Sequence, residues 1–160
     1  MKVGVIMGSS SDKDIAQKAV EVLKDFGVGY EIRVISAHRS LDLAIDFVKS
    51  MEEKSIELII AFAGKAAHLA GVLAGLSVTP VIGVPVKAST LDGLDALLST
   101  VQMPKGVPVA TVAIDGAENA ALLAVQILSL KYPELKTKLQ VYKESLKETV
   151  KEMDRSLGCL

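Results

Sequence analysis

Lys2-Val3-Gly4-Val5-Ile6-Met7-Gly8-Ser9-Ser10-Ser11-Asp12 decides the fold. An apolar run closed by glycine, then by hydroxyl and carboxylate side chains, reads as a strand that turns into a helix start. Ile15, Ala19, Val22, Leu23 and Phe26 follow at three- and four-residue steps, so one face of that helix is apolar. Ser11 is its expected N-cap, Asp12 and Asp14 favour the dipole of its first turn, and Gly27 ends it. Outward from this unit the alternation repeats. Strand-like runs at Tyr30 to Ile35, Leu58 to Ala61, Val81 to Val84 and Val109 to Ala113 are separated by segments of helical periodicity, one of them capped by Ser40 and burying Ala44, Phe47, Val48 and Met51. Continuous apolar strands imply a sheet covered on both faces, and right-handed crossovers then give an α/β, doubly wound parallel sheet. No linker or domain boundary interrupts the pattern, so residues 1–160 read as a single domain.

Composition limits the function. Half of the 160 residues are apolar, yet no uninterrupted run approaches the roughly 20 residues of a membrane span. The apolar run at the start stops too early for a signal peptide, with polar Ser9 to Asp12 following, so it reads as a first strand and a cytoplasmic location is expected. Cys159 stands alone in the chain, which excludes an internal disulfide and a thiolate metal centre. A net charge of −1, no basic block, and only three Tyr and three Phe argue against a nucleic-acid surface. A small molecule is the expected partner. After Tyr132-Pro133, residues 134–154 form a terminal amphipathic helix with Leu135, Leu139, Tyr142, Leu146, Val150 and Met153 on one stripe. Periodicity alone leaves open whether that stripe packs on its own chain or on a neighbouring subunit.

The chemistry-bearing residues follow the strand-like runs. Gly8 to Asp12 combines a glycine turn, hydroxyl groups and a helix start, an arrangement that binds anions such as phosphate. Asp12 suits hydrogen bonds from sugar hydroxyls better than a phosphate. After the second run comes Ser36-Ala37-His38-Arg39. An imidazole, with its unperturbed pKa near ~6.5, both takes and returns protons at neutrality, and a guanidinium grips phosphate or carboxylate with two parallel hydrogen bonds. The second of the two histidines, His68, lies after the third run in Gly64-Lys65-Ala66-Ala67-His68. It reads equally as a packed ring or a site wall. Two isolated histidines without carboxylate ligand spacing do not make a metal site.

These motifs resemble the PurE family. Gly8-Ser9-x-Ser11-Asp12, Ser36-Ala37-His38-Arg39, Ala66-Ala67-His68-Leu69, Pro80-Val81-Ile82-Gly83-Val84-Pro85-Val86 and Val101-Gln102-Met103-Pro104 stand in the family's order and spacing. The resemblance implies a flavodoxin-like fold, a three-layer α/β/α sandwich, and the class I activity, an isomerase converting N5-carboxyaminoimidazole ribonucleotide to 4-carboxy-5-aminoimidazole ribonucleotide in purine synthesis without a cofactor. It implies that carbon dioxide is released and recaptured, with His38 as proton shuttle. By the same resemblance Ser9, Ser11 and Asp12 contact the ribonucleotide, Ser36 lies beside the shuttle, and Arg39 binds phosphate. Gly64, Lys65, Ala66, His68 and Leu69 belong to the loop around the carboxylate. It also implies a homo-octamer whose sites neighbouring subunits complete, with the terminal helix at an interface.

The chain departs from the family where class I members read Ala-Gly-Ala-Gly-Gly-Ala-Ala-His-Leu-Pro-Gly. Phe62, Lys65 and Ala70 are the substitutions. A left-handed backbone at position 65 would strain a lysine. The alternatives are a class II carboxylase acting on aminoimidazole ribonucleotide and carbon dioxide, whose members usually carry lysine after the histidine, and a non-catalytic nucleotide-binding module. Arg39 favours the mutase over the first, and His38 and Arg39 together oppose the second.

Overall fold

The structure, a computed structural model, describes residues 1–89 and 91–158; Cys159 lies outside the described residues. These residues form two compact units, Met1–Ala124 and Val125–Leu160. The first is built on strands β1 (Lys2–Met7), β2 (Gly29–Val34), β3 (Ile56–Gly64), β4 (Val81–Val86) and β5 (Ala110–Thr111). Between them run helices α1 (Lys13–Asp25), α2 (Leu41–Ser50), α3 (Leu69–Leu76) and α4 (Leu94–Val101), and α5 (Ala117–Leu128) follows β5. All ladders are parallel and the strand order is β2-β1-β3-β4-β5. This is the doubly wound sheet that the alternation predicts, in the flavodoxin-like form that the resemblance implies.

The pleat divides β1 between two packing layers. Ile6 joins Ile59 and Ala61 of β3 in a core with Ala44 and Phe47 of α2 and Leu69, Ala70 and Leu73 of α3. Gly4 shares that face, and an added Cβ there would stand 2.8 Å from the Phe47 ring. Val3, Val5, Leu58, Ile60 and Phe62 alternate to the other face and are fully buried. Phe62 therefore packs inward. Ala16, Ala19, Val20 and Leu23 are the buried stripe of α1, whereas Ile15 and Val22 are only half-buried.

Three local details differ from the sequence reading. Ser9, not Ser11, supplies the capping oxygen, accepting from the Ser11 amide at 3.3 Å, because a 3₁₀ turn at Ser10–Asp12 precedes α1. Ser40 does stand at the N-cap of α2, but its hydroxyl donates to the Ser36 carbonyl at 3.2 Å instead of capping an amide. The fifth strand pairs over only two residues because Pro108, lacking an amide donor, interrupts the run on one side.

In the second unit, helix α6 spans Pro133–Leu157, with proline in its first turn. Leu135 and Leu139 are buried, while Leu146, Val150 and Met153 are exposed. Among the described residues no helix is long and apolar enough to cross a membrane.

Candidate active site

Strand order reverses between β1 and β3, since the chain leaves β1 for one edge of the sheet and returns on its other side. Loops leaving the carboxyl ends there diverge and open a crevice. A cleft of about 760 Å³ occupies this position. Every site residue expected from the sequence lines it: Ser9, Ser11 and Asp12 after β1; Ser36, His38 and Arg39 after β2; Gly64, Lys65, Ala66, His68 and Leu69 at the end of β3 and beyond.

The two histidines meet. His38 Nε2 lies 2.8 Å from His68 Nδ1, with ring centroids 4.9 Å apart and planes at 66°. One ring donates and the other accepts, so the contact couples the tautomer of one histidine to that of the other. Both rings are exposed to the cleft, within reach of a ligand.

Arg39 ties two loops together. Its Nε donates to Ser36 Oγ at 3.0 Å and its Nη2 to the Gly8 carbonyl at 3.3 Å, which holds the planar fork over the turn after β1. In that turn the Gly8 amide donates to Phe62 O, the Ser11 amide to Ser9 Oγ and the Asp12 amide to Ser9 O. Among the described residues, the Ser9 and Ser10 amides remain for an anion. Asp12 is buried at 6 % exposure and accepts from Ser11 Oγ at 3.1 Å. Burial pushes its carboxyl above the ordinary range, outweighing the hydrogen bonds from Ser11 and the Ser9 backbone.

The wall after β3 is strained. Gly64 ends β3 opposite Val86, where an added Cβ would stand 3.0 Å from the Val86 carbonyl and crowd it. Lys65 then adopts φ of 57°, the left-handed region that glycine enters freely and a lysine does not. Its side chain makes no hydrogen bond or ion pair with the described residues.

The sequence reading missed the fourth wall, formed by Val86, Lys87, Ala88 and Asp115. Asp115, also left-handed at φ 57°, accepts from the Lys87 amide at 2.9 Å and joins the ends of β4 and β5. Lys87 Nζ pairs with Asp92 at 3.0 Å, and this contact raises the lysine's pKa. Placing ligands at all strand ends, not just the first three, would have flagged Lys87. Among the described residues, no group of three or more His, Cys, Asp or Glu is arranged to hold a metal ion.

Comparison with known proteins agrees with this geometry. The AIR carboxylase family profile matches residues 2–149. The chain belongs to the AIR carboxylase family. Its relatives include the N5-carboxyaminoimidazole ribonucleotide mutase of Pyrococcus abyssi, 60% identical over 91% of this chain and 84% of that protein. The protein of the same name from Pyrococcus horikoshii is 57% identical over 97% and 88%. The crystal structure of Treponema denticola PurE superposes with a TM-score of 0.88 at 34% identity, covering 98% of each chain.

Proposed function

We propose that this protein is an N5-carboxyaminoimidazole ribonucleotide mutase. The observation that carries the reading is His38, facing a cleft of about 760 Å³ and hydrogen-bonded to His68, in a chain 60% identical over 91% of its length to a protein of that name. In this reading Arg39 and the free Ser9 and Ser10 amides take the phosphate, and Asp12 with Ser11 takes the sugar hydroxyls. The imidazole of His38 protonates the nitrogen as its carboxyl group departs as carbon dioxide. The ring carbon attacks the retained gas, and His38 then removes the proton from that carbon, restoring the aromatic ring and its own starting state. No oxidant, reductant or cofactor enters the balance. The small side chains Ala63, Gly64 and Ala66 let the wall close around carbon dioxide and exclude water.

Incubation of the protein with N5-carboxyaminoimidazole ribonucleotide should yield 4-carboxy-5-aminoimidazole ribonucleotide. Turnover confined to aminoimidazole ribonucleotide plus bicarbonate would assign the carboxylase reaction instead. The reading extends to a cytoplasmic homo-octamer. The exposed apolar residues Leu146, Val150 and Met153 of α6 support subunit contact, and light scattering on the purified chain tests it.

A further inference from the structure

We propose that Lys65 is the counter-cation for the substrate's migrating carboxylate. The inference rests on the mutase reading and assigns within it a role to a residue whose backbone is otherwise unfavourable. Three cations line the cleft: Arg39, Lys65 and Lys87. Arg39 is held over the phosphate turn through Ser36 and Gly8, and Lys87 is paired with Asp92 at 3.0 Å. Lys65 alone of the three has no hydrogen bond or ion pair with the described residues. The substrate carries two anionic groups. If Arg39 meets the phosphate, the carboxylate is left to Lys65.

Position supports the pairing. Lys65 precedes His68 by three residues on the same loop, and His68 touches the proton shuttle at 2.8 Å. The carboxyl group leaves and re-enters beside that shuttle, so it passes along this wall. The left-handed backbone at Lys65 is the kind of local strain that persists where a side chain serves a site. Because substrate and product both carry the carboxylate while carbon dioxide is neutral, Lys65 stabilises the two bound ends of the reaction more than the states between them. Binding of that kind lowers KM and does not raise kcat.

The test compares wild type with Lys65→Met, Lys65→Gly and Lys65→Arg. Binding of 4-carboxy-5-aminoimidazole ribonucleotide and of aminoimidazole ribonucleotide, which differ in the carboxylate, is measured by titration calorimetry at low and high salt. Removing the charge in Lys65→Met or Lys65→Gly should weaken the carboxylated ligand about tenfold, the range of one charge-assisted hydrogen bond, and leave the other within twofold. Lys65→Arg should keep the preference, and in wild type the preference should shrink as salt rises. In turnover the loss should appear as a raised KM, with kcat not lowered. Equal weakening of both ligands, or none, overturns the assignment while wild-type turnover keeps the mutase reading intact. A wild type that converts neither ribonucleotide overturns both.

Discussion

His38 and His68, thirty residues apart in sequence, share a single hydrogen bond of 2.8 Å between Nε2 of the first and Nδ1 of the second. Only one hydrogen fits between the two nitrogens, so the contact holds when one ring donates and breaks when both carry hydrogen there. His68 thereby orients the His38 imidazole within the cleft.

His38→Ala should abolish turnover and leave ribonucleotide binding within a few-fold of wild type. His68→Ala should lower kcat by roughly 10–100-fold through loss of orientation. His68→Asn, whose amide occupies the place of Nδ1, should recover part of that loss. Steady-state kinetics of the three variants checks the scheme, and a His68→Asn enzyme no better than His68→Ala contradicts it.

Arg39→Ala should weaken binding of the ribonucleotide by about tenfold or more, the range for a charge-assisted contact, and hardly affect the corresponding nucleoside. Competition binding with the two ligands separates a phosphate contact from a loss of loop order, which would penalise both equally.

Asp12 sets a pH dependence. A carboxyl whose native pKa is raised favours the fold while protonated; that contribution is complete below the ordinary value near ~3.9 and is lost as pH rises through the raised one. Asp12→Asn removes the charge, so its stability relative to wild type should increase from about pH 4 to pH 7. Urea midpoints across that interval measure the trend, and a relative decrease would contradict the burial argument.

Lys65→Gly should stabilise the fold by about 1 kcal/mol, since glycine adopts φ of 57° without the clash a side chain meets, partly offset by its greater freedom when unfolded. Lys65→Met should not. Thermal unfolding of the two variants isolates the backbone contribution from the charge.

Gly83 in β4 has no room for a side chain: a Cβ would collide with Thr100 Cγ2 and lie 3.0 Å from Val109 Cγ1. Gly83→Ala should destabilise by roughly 1–3 kcal/mol through overpacking, read as a shift in urea midpoint at unchanged slope.

The legible parts of the molecule are those governed by local pattern. Lys2 to Met7 is β1 to the residue, because its apolar run is bounded by polar and glycine neighbours. The ends of β3 extend beyond Leu58 to Ala61 because β1 and β4 flank it on both sides, a tertiary fact that no window contains. Motif order placed His38 and His68 on loops at one end of the sheet, but their contact depends on how far β2 and β3 stand apart across β1. Ser40 shows the same limit: its hydroxyl had two acceptable uses, and the fold of the Ser36 turn chose the one that pattern did not. For Lys65 the glycine it replaces in the family posed the question of a left-handed backbone, and only the folded loop answers it.

Parallel pairing of β1 with both β2 and β3 means that each loop reaching the cleft arrives by a separate crossover. No short fragment of the chain contains a working recess; it comes into being only when the central strands have all found their places. A ligand held in that cleft therefore recognises the finished sheet alone, and by mass action it holds the entire assembly, not one segment, against unfolding. Ligand-induced protection from hydrogen exchange should consequently spread to the amides of β1, β3 and β4, far beyond the atoms the ligand touches.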